Sequence, residues 1–234
     1  MRGEAGSSTG LKRKLAGAAY RGVSGRDPWR AVRAGRRLPA PDHGPAAATA
    51  QAIAENKQLW RIGIAVNAAY LLANIPLGIL LYELFGPVRQ TLARCALAFI
   101  LICAAIEAVN LALLYAPLAL GGEVAGLGEA QRQALGYLAI SLHPVGFGIA
   151  LLFFAAFCVL TGVLILRSDV APRAIGWLMM LAGGCYATNT LAMLAAPGVW
   201  DRLTPWVLLP CLLAELSLAT WLIAGGRKLD LIEP

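Results

Sequence analysis

Glu107 and Glu215 each stand near the middle of a long apolar run. A charged carboxylate at such a depth costs ~3 kcal/mol on the insertion scale, so each is expected to face other protein and not lipid. Ionisable side chains inside apolar spans mark ion or solute paths, proton relays or paired polar contacts. Other polar residues fall beside them at helical spacing. Asn110 lies three residues from Glu107, on the same helix face. Asn67 and Asn74 are seven apart and share a face, and Tyr186 and Asn189 are three apart. His143 directly precedes Pro144 and suits a capping or interface position. These eight residues are the candidates for one polar intramembrane pocket, with Glu107 and Glu215 pointing into it beside Asn74, Asn189 or both and expected to stay protonated at neutral pH. A second reading stands beside this one. Asn, Tyr and Glu also join helices to each other in membranes, at ~0.6 kcal/mol per hydrogen bond.

No catalytic constellation accompanies them. HExxH, GxSxG, the P-loop and GxGxxG are all absent from the text, so hydrolase, metalloprotease and nucleotide chemistry lack their mechanics. Cys95, Cys103, Cys158, Cys185 and Cys211 lie in apolar runs without a CxxC pair, and the chain has two histidines. No zinc site, cofactor or disulfide is expected; the thiols read as small packing residues.

The elements that must position these groups are membrane helices. Of 234 residues, 59% are hydrophobic and 14% charged, against about 25% charged in an ordinary soluble domain. That leaves too little polar surface for a water-facing globule. The first span reads Leu59 to Leu84, whose ~39 Å at 1.5 Å per residue crosses a ~30 Å hydrocarbon core with tilt. The second reads Val88 to Leu118. Glu129 to Leu166 is too long for one straight span. Its front, Glu129 to Leu142, is amphipathic, Pro144 is expected to kink or break it, and Val145 to Leu166 crosses. The fourth opens at Ala171-Pro172 and runs to Ala195. The fifth opens with Asp201 as N-cap and runs from Arg202 to Ala224. Trp60, Trp177, Trp200, Trp206 and Trp221 fall near span ends, as an aromatic belt would have them. Gly183 and Ala187 form a small-xxx-small step suited to close helix packing. Glu215 follows Pro210, whose missing N–H frees a carbonyl one turn back.

The net charge of +7 belongs to the head alone. Residues 1–50 hold ten Lys and Arg against Glu4, Asp27 and Asp42, and the remainder is balanced. A basic head can touch anionic lipid without specificity, and no specific nucleic-acid partner is implied. Counting short-loop cations, Lys57, Arg61, Arg132 and Arg202 lie on the first side. Arg89, Arg94, Arg167, Arg173, Arg227 and Lys228 lie on the other, which is then cytoplasmic.

The head conflicts with that count, and one reading removes the conflict. "LKRKLAGAAY" looks like the cytoplasmic start of a sixth, N-terminal span, and "AAATAQAIAENKQLWRIGI" like the outer loop into the next helix. Residues 21–44 between them carry six arginines and three prolines. We read them as text from a shifted frame that has replaced a helix. A genuine basic tail and a targeting peptide are the alternatives; the latter lacks an apolar h-region.

Several stretches carry a resemblance: "ATAQAIAENKQLWRIGI", "IPLGILLYELFGPV", "EAVNLALL", "LHPVGFGIALLFF", "ILRSDVAPRAIGWLMMLAGGCY" and "PCLLAELSLATWLIAGG". Over Ala47 to Arg227 the chain resembles the bacterial membrane-protein family named domain of unknown function 4386. The resemblance implies a fold and transfers no active site. It also implies a further apolar helix ahead of the "ATAQAIAEN" loop, from which this chain departs.

The expected architecture is thus all-α: a polytopic transmembrane helix bundle with five spans and a sixth lost. A basic head covers residues 1–46, expected to be disordered, the bundle 47–229 and a short tail 230–234. The expected setting is a bacterial inner membrane, multi-pass, with a cytoplasmic C-terminus. The lipid bilayer is the first partner. A small solute or proton is the expected ligand of the pocket, and a second copy or another membrane protein a further candidate partner. The alternative function is a structural or accessory membrane subunit, with an intramembrane enzyme third.

Overall fold

The computed structural model describes residues 44–229, which form six helices. Most of the basic head and the last five residues lie outside them, and with them the disordered-tail and shifted-frame readings. The helices are α1 (Pro45–Glu55), α2 (Lys57–Phe85), α3 (Gln90–Leu120), α4 (Glu129–Leu166), α5 (Arg173–Ala195) and α6 (Pro197–Leu229). Five of them are long and apolar enough to cross a membrane; in α6 the apolar window is Trp206–Gly225. In hydrocarbon each backbone N–H and C=O must find its partner within the chain, and a helix satisfies nearly all of them internally.

Sequential helices pack on one another, α2 on α3, α3 on α4, α4 on α5 and α5 on α6, while α1 lies against α3 and α4. α4 is central, with half of its most apolar window buried, whereas α2 and α6 bury far less of theirs. The outer faces of those two end helices expose Val66, Leu72 and Leu80 on one and Leu212, Leu213 and Ile223 on the other. Such surface suits acyl chains. Lipid tails are as apolar as leucine, so helix association here rests on close backbone approach and polar contacts. The α4–α5 seam has that character. A Cβ added at Gly162 would lie 2.6 Å from the Gly176 carbonyl oxygen, and one added at Gly183 would lie 2.6 Å from that of Ala155. The step from Gly183 to Ala187 thus begins on the seam.

Three boundaries differ from the sequence reading. Pro45–Glu55, read as the end of the tail and the loop beyond it, is a helix. Proline at its first position costs no hydrogen bond, and the Asn56 side chain donates to the Ala52 carbonyl at 2.9 Å where α1 ends. α4 runs unbroken through Pro144; one missing N–H is tolerated where neighbouring helices pack on both sides. The front of α4 therefore extends the helix, and Gly128 N–H donates to Gln131 Oε1 at 2.9 Å to cap it. α6 starts at Pro197, four residues ahead of the Asp201 read as its N-cap, and proline's fixed φ suits a first turn. Gly126 in the α3–α4 loop has φ +81°, a left-handed conformation that glycine adopts without steric cost.

Candidate functional site

α3 places Glu107 and Asn110 on its buried face. Asn110 reaches α4: its Nδ2 donates to His143 Nδ1 at 2.7 Å and to the His143 carbonyl at 3.0 Å. An amide nitrogen only donates, so Nδ1 accepts and the imidazole proton sits on Nε2. Gly146 makes this contact feasible, because the Asn110 carboxamide occupies the space a Cβ at 146 would need. Glu107 has a weaker partner. Cys103, one turn earlier, donates its thiol to Oε1 at 3.4 Å, the one side-chain hydrogen bond to this carboxyl among the described residues.

On the other side of the bundle, Tyr186 of α5 donates its hydroxyl to Glu215 Oε1 of α6. The Tyr186 ring meets Phe154 edge-on, with centroids 5.4 Å apart. Asn189, one turn along α5, accepts at Oδ1 from the Thr204 hydroxyl at 3.0 Å. Thr190, fully buried, donates to the Gly148 carbonyl at 3.0 Å and ties α5 to α4.

These groups border two adjoining cavities. The larger, about 360 Å³, is lined by Glu107, Tyr186, Asn189 and Glu215, with Tyr70 of α2 and Trp200 of α6. α3 and α6 have α4 and α5 between them in the packing order, so the two carboxyls share the cavity and not a helix seam. Among the described residues no Lys, Arg or His lines it. The Trp200 indole Nε1 is buried without a hydrogen-bond partner among the described residues. The smaller cavity, about 250 Å³, is lined by Asn67, Glu107, Asn110 and His143. Glu107 and Phe147 border both.

The eight sequence candidates therefore divide. Glu107, Tyr186, Asn189 and Glu215 border the larger space; Asn67, Asn110 and His143 border the smaller with Glu107. Asn74 is buried but lines neither. Asn67 is exposed, its amide turned back onto the Gly63 carbonyl at 3.0 Å. His143 is half-buried and held by Asn110. Tyr70, Thr190, Trp200 and Thr204 were not singled out for this site by sequence reading. Tyr70 had a signal, a phenol far from either span end, whereas Trp200 read only as a belt residue and Thr204 drew no reading.

A separate cavity of about 580 Å³ opens where α1 meets the end of α3 and the start of α4, with Lys57 and Arg132 among its lining. Among the described residues no group of three His, Cys, Asp or Glu side chains could hold a metal ion. All five cysteines are free thiols.

The fold is that of a multi-pass integral membrane protein with cavities between its helices that polar side chains border. The family model described as Domain of unknown function (DUF4386) matches residues 37–226, and the chain belongs to that family. The match begins ten residues ahead of the span in which the sequence resemblance was read. No curated protein and no solved structure matched the chain.

Proposed function

We propose that this protein binds a small solute, or passes a solute or proton, through the intramembrane cavity bordered by Glu107 and Glu215. The observation that supports this best is the state of Glu107. It is a buried carboxyl whose side-chain partner is a thiol, a weak donor. A residue kept only to join helices would be expected to meet a strong donor on a neighbouring helix, as Asn110 and Thr190 meet acceptors. Glu107 instead borders open space that Glu215 also borders. Glutamine would give similar adhesion at lower cost in hydrocarbon.

The direct test is a solute screen by thermal shift on the purified protein in detergent, repeated with Glu107→Gln and Glu215→Gln. Stabilisation by a solute that either variant loses, with unliganded melting nearly unchanged, supports the reading. Two silent Glu→Gln variants and no stabilising solute would sink it. A second reading, an accessory membrane subunit, is favoured by the Asn110–His143 and Thr190–Gly148 contacts, which are interhelical adhesion without a ligand. In either case the setting proposed is a bacterial inner membrane with the C-terminus in the cytoplasm. The exposed apolar faces of α2 and α6 could take lipid, a second copy or another membrane protein.

A further inference from the structure

We infer that the solute of the larger cavity is a small organic cation, an ammonium compound carrying a hydrogen-bond acceptor. This rests on the solute-binding reading above and specifies its chemistry. Charge is the first argument. Among the described residues the lining holds two carboxyls, from α3 and α6, and no basic side chain. A cation placed beside them favours their ionised form, which burial in an apolar span otherwise opposes, whereas an anion would meet two carboxyls and no basic side chain among the described lining residues.

The aromatic lining is the second argument and excludes a bare metal ion as the best fit. Tyr70, Phe147, Phe154, Tyr186 and Trp200 border the same space, drawn from α2, α4, α5 and α6. Aromatic faces carry negative quadrupole charge and attract an alkylammonium that keeps its apolar substituents against the rings. A hard metal ion wants a shell of oxygen atoms, and no group of acidic or thiol ligands is clustered to supply one among the described residues. The volume, about 360 Å³, admits a molecule of several heavy atoms.

Trp200 adds the acceptor. Its buried Nε1–H has no partner among the described residues, and a buried donor left unpaired costs free energy. A hydroxyl or carbonyl oxygen on the ligand would pair it. The Thr204 hydroxyl has one proton and lies within reach of both Asn189 Oδ1, at 3.0 Å, and the Trp200 carbonyl, at 2.8 Å, so at least one Asn189 amide N–H is left for the ligand oxygen. The cavity thus presents two carboxyls, an aromatic wall and donor N–H groups.

The test uses three probes of nearly one shape on the purified full chain in detergent, followed by calorimetry. They are choline, its uncharged isostere 3,3-dimethyl-1-butanol and the anion 3,3-dimethylbutanoate. Choline is expected to bind about tenfold or more tighter than the alcohol, and the anion not to bind. Glu215→Gln and Glu107→Gln should each weaken choline while leaving the alcohol unchanged, and Trp200→Phe should weaken both. Equal binding of choline and the alcohol overturns the cation and leaves the solute-binding reading intact. Preference for the anion overturns it too. Failure of all three probes overturns the ligand class, and the broader solute screen then decides the solute-binding reading by itself. The comparison of probes on the unaltered chain needs no variant to fold.

Discussion

The Tyr186 hydroxyl of α5 is hydrogen-bonded to the Glu215 carboxyl of α6, beside the edge-on contact of its ring with Phe154. Phenylalanine at 186 would keep the ring contact and delete the hydroxyl alone. Tyr186→Phe is therefore expected to destabilise by ~0.6 kcal/mol, with ~1.7 kcal/mol as the upper bound for such bonds in membranes. Chemical unfolding in mixed micelles reads this directly. If Glu215 also binds a solute cation, Glu215→Gln should weaken that binding and Tyr186→Phe should alter it. An unchanged affinity in both variants would remove Glu215 from the site.

Asn110 and Gly146 form a matched pair. The Asn110 carboxamide lies in the space a side chain at 146 would fill, and from there it bonds His143. Gly146→Ala should displace the carboxamide, at a cost of about 1–3 kcal/mol typical of overpacking. In an Asn110→Ala background the same change should be close to neutral, because the space is then free. A double-mutant cycle measures this, and additive effects would show that the two residues are not coupled.

Adjacent glycines in "AGGCY" should behave in opposite ways. Gly183 is buried on the α4–α5 seam, where a Cβ would meet the Ala155 carbonyl and the Val159 side chain. Gly184 is exposed, with nothing within 4 Å of an added Cβ. Gly183→Ala should force the seam apart and lower the melting temperature. Gly184→Ala should be neutral or stabilising by up to ~1 kcal/mol, the helix-propensity difference. Equal responses at the two positions would mean that the helices do not cross at 183.

The spans were legible because length and hydropathy alone decide what crosses hydrocarbon. Membership of the family was legible from the order of several motifs, none of which is chemical. Boundaries were less so. Pro144 and Asp201 were read by local rules for soluble helices; α4 continues through Pro144 without a break, and α6 already starts at Pro197. Within the site, Glu107 and Glu215 stood out because a carboxyl in an apolar run has no cheap explanation. Tyr70, Trp200 and Thr204 did not, since their role depends on which helix face meets the cavity. Asn74 shows the reverse limit: seven-residue spacing set it on a face with Asn67, but a face of α2 does not specify which cavity it borders.

Orientation can be argued from charge. On the side where α2 begins, the short connections carry Lys57, Arg61, Arg132 and Arg202; on the side where it ends they carry Arg89, Arg94, Arg167, Arg173, Arg227 and Lys228. The rule that sets topology counts cations within about 15–20 residues of a span end. Arg37, the last cation of the head, lies about 20 residues ahead of Lys57 and so at the edge of that window. The richer side should therefore face the cytoplasm and bring the C-terminus with it. A C-terminal green fluorescent protein should fluoresce, and a C-terminal alkaline phosphatase should be inactive. Replacing Arg227 and Lys228 with glutamine removes the asymmetry, leaving four cations on each side, and should yield mixed orientation with partial activity of both reporters. Phosphatase activity in the unaltered chain would reverse the assignment, and it would place the cation-rich loops outside.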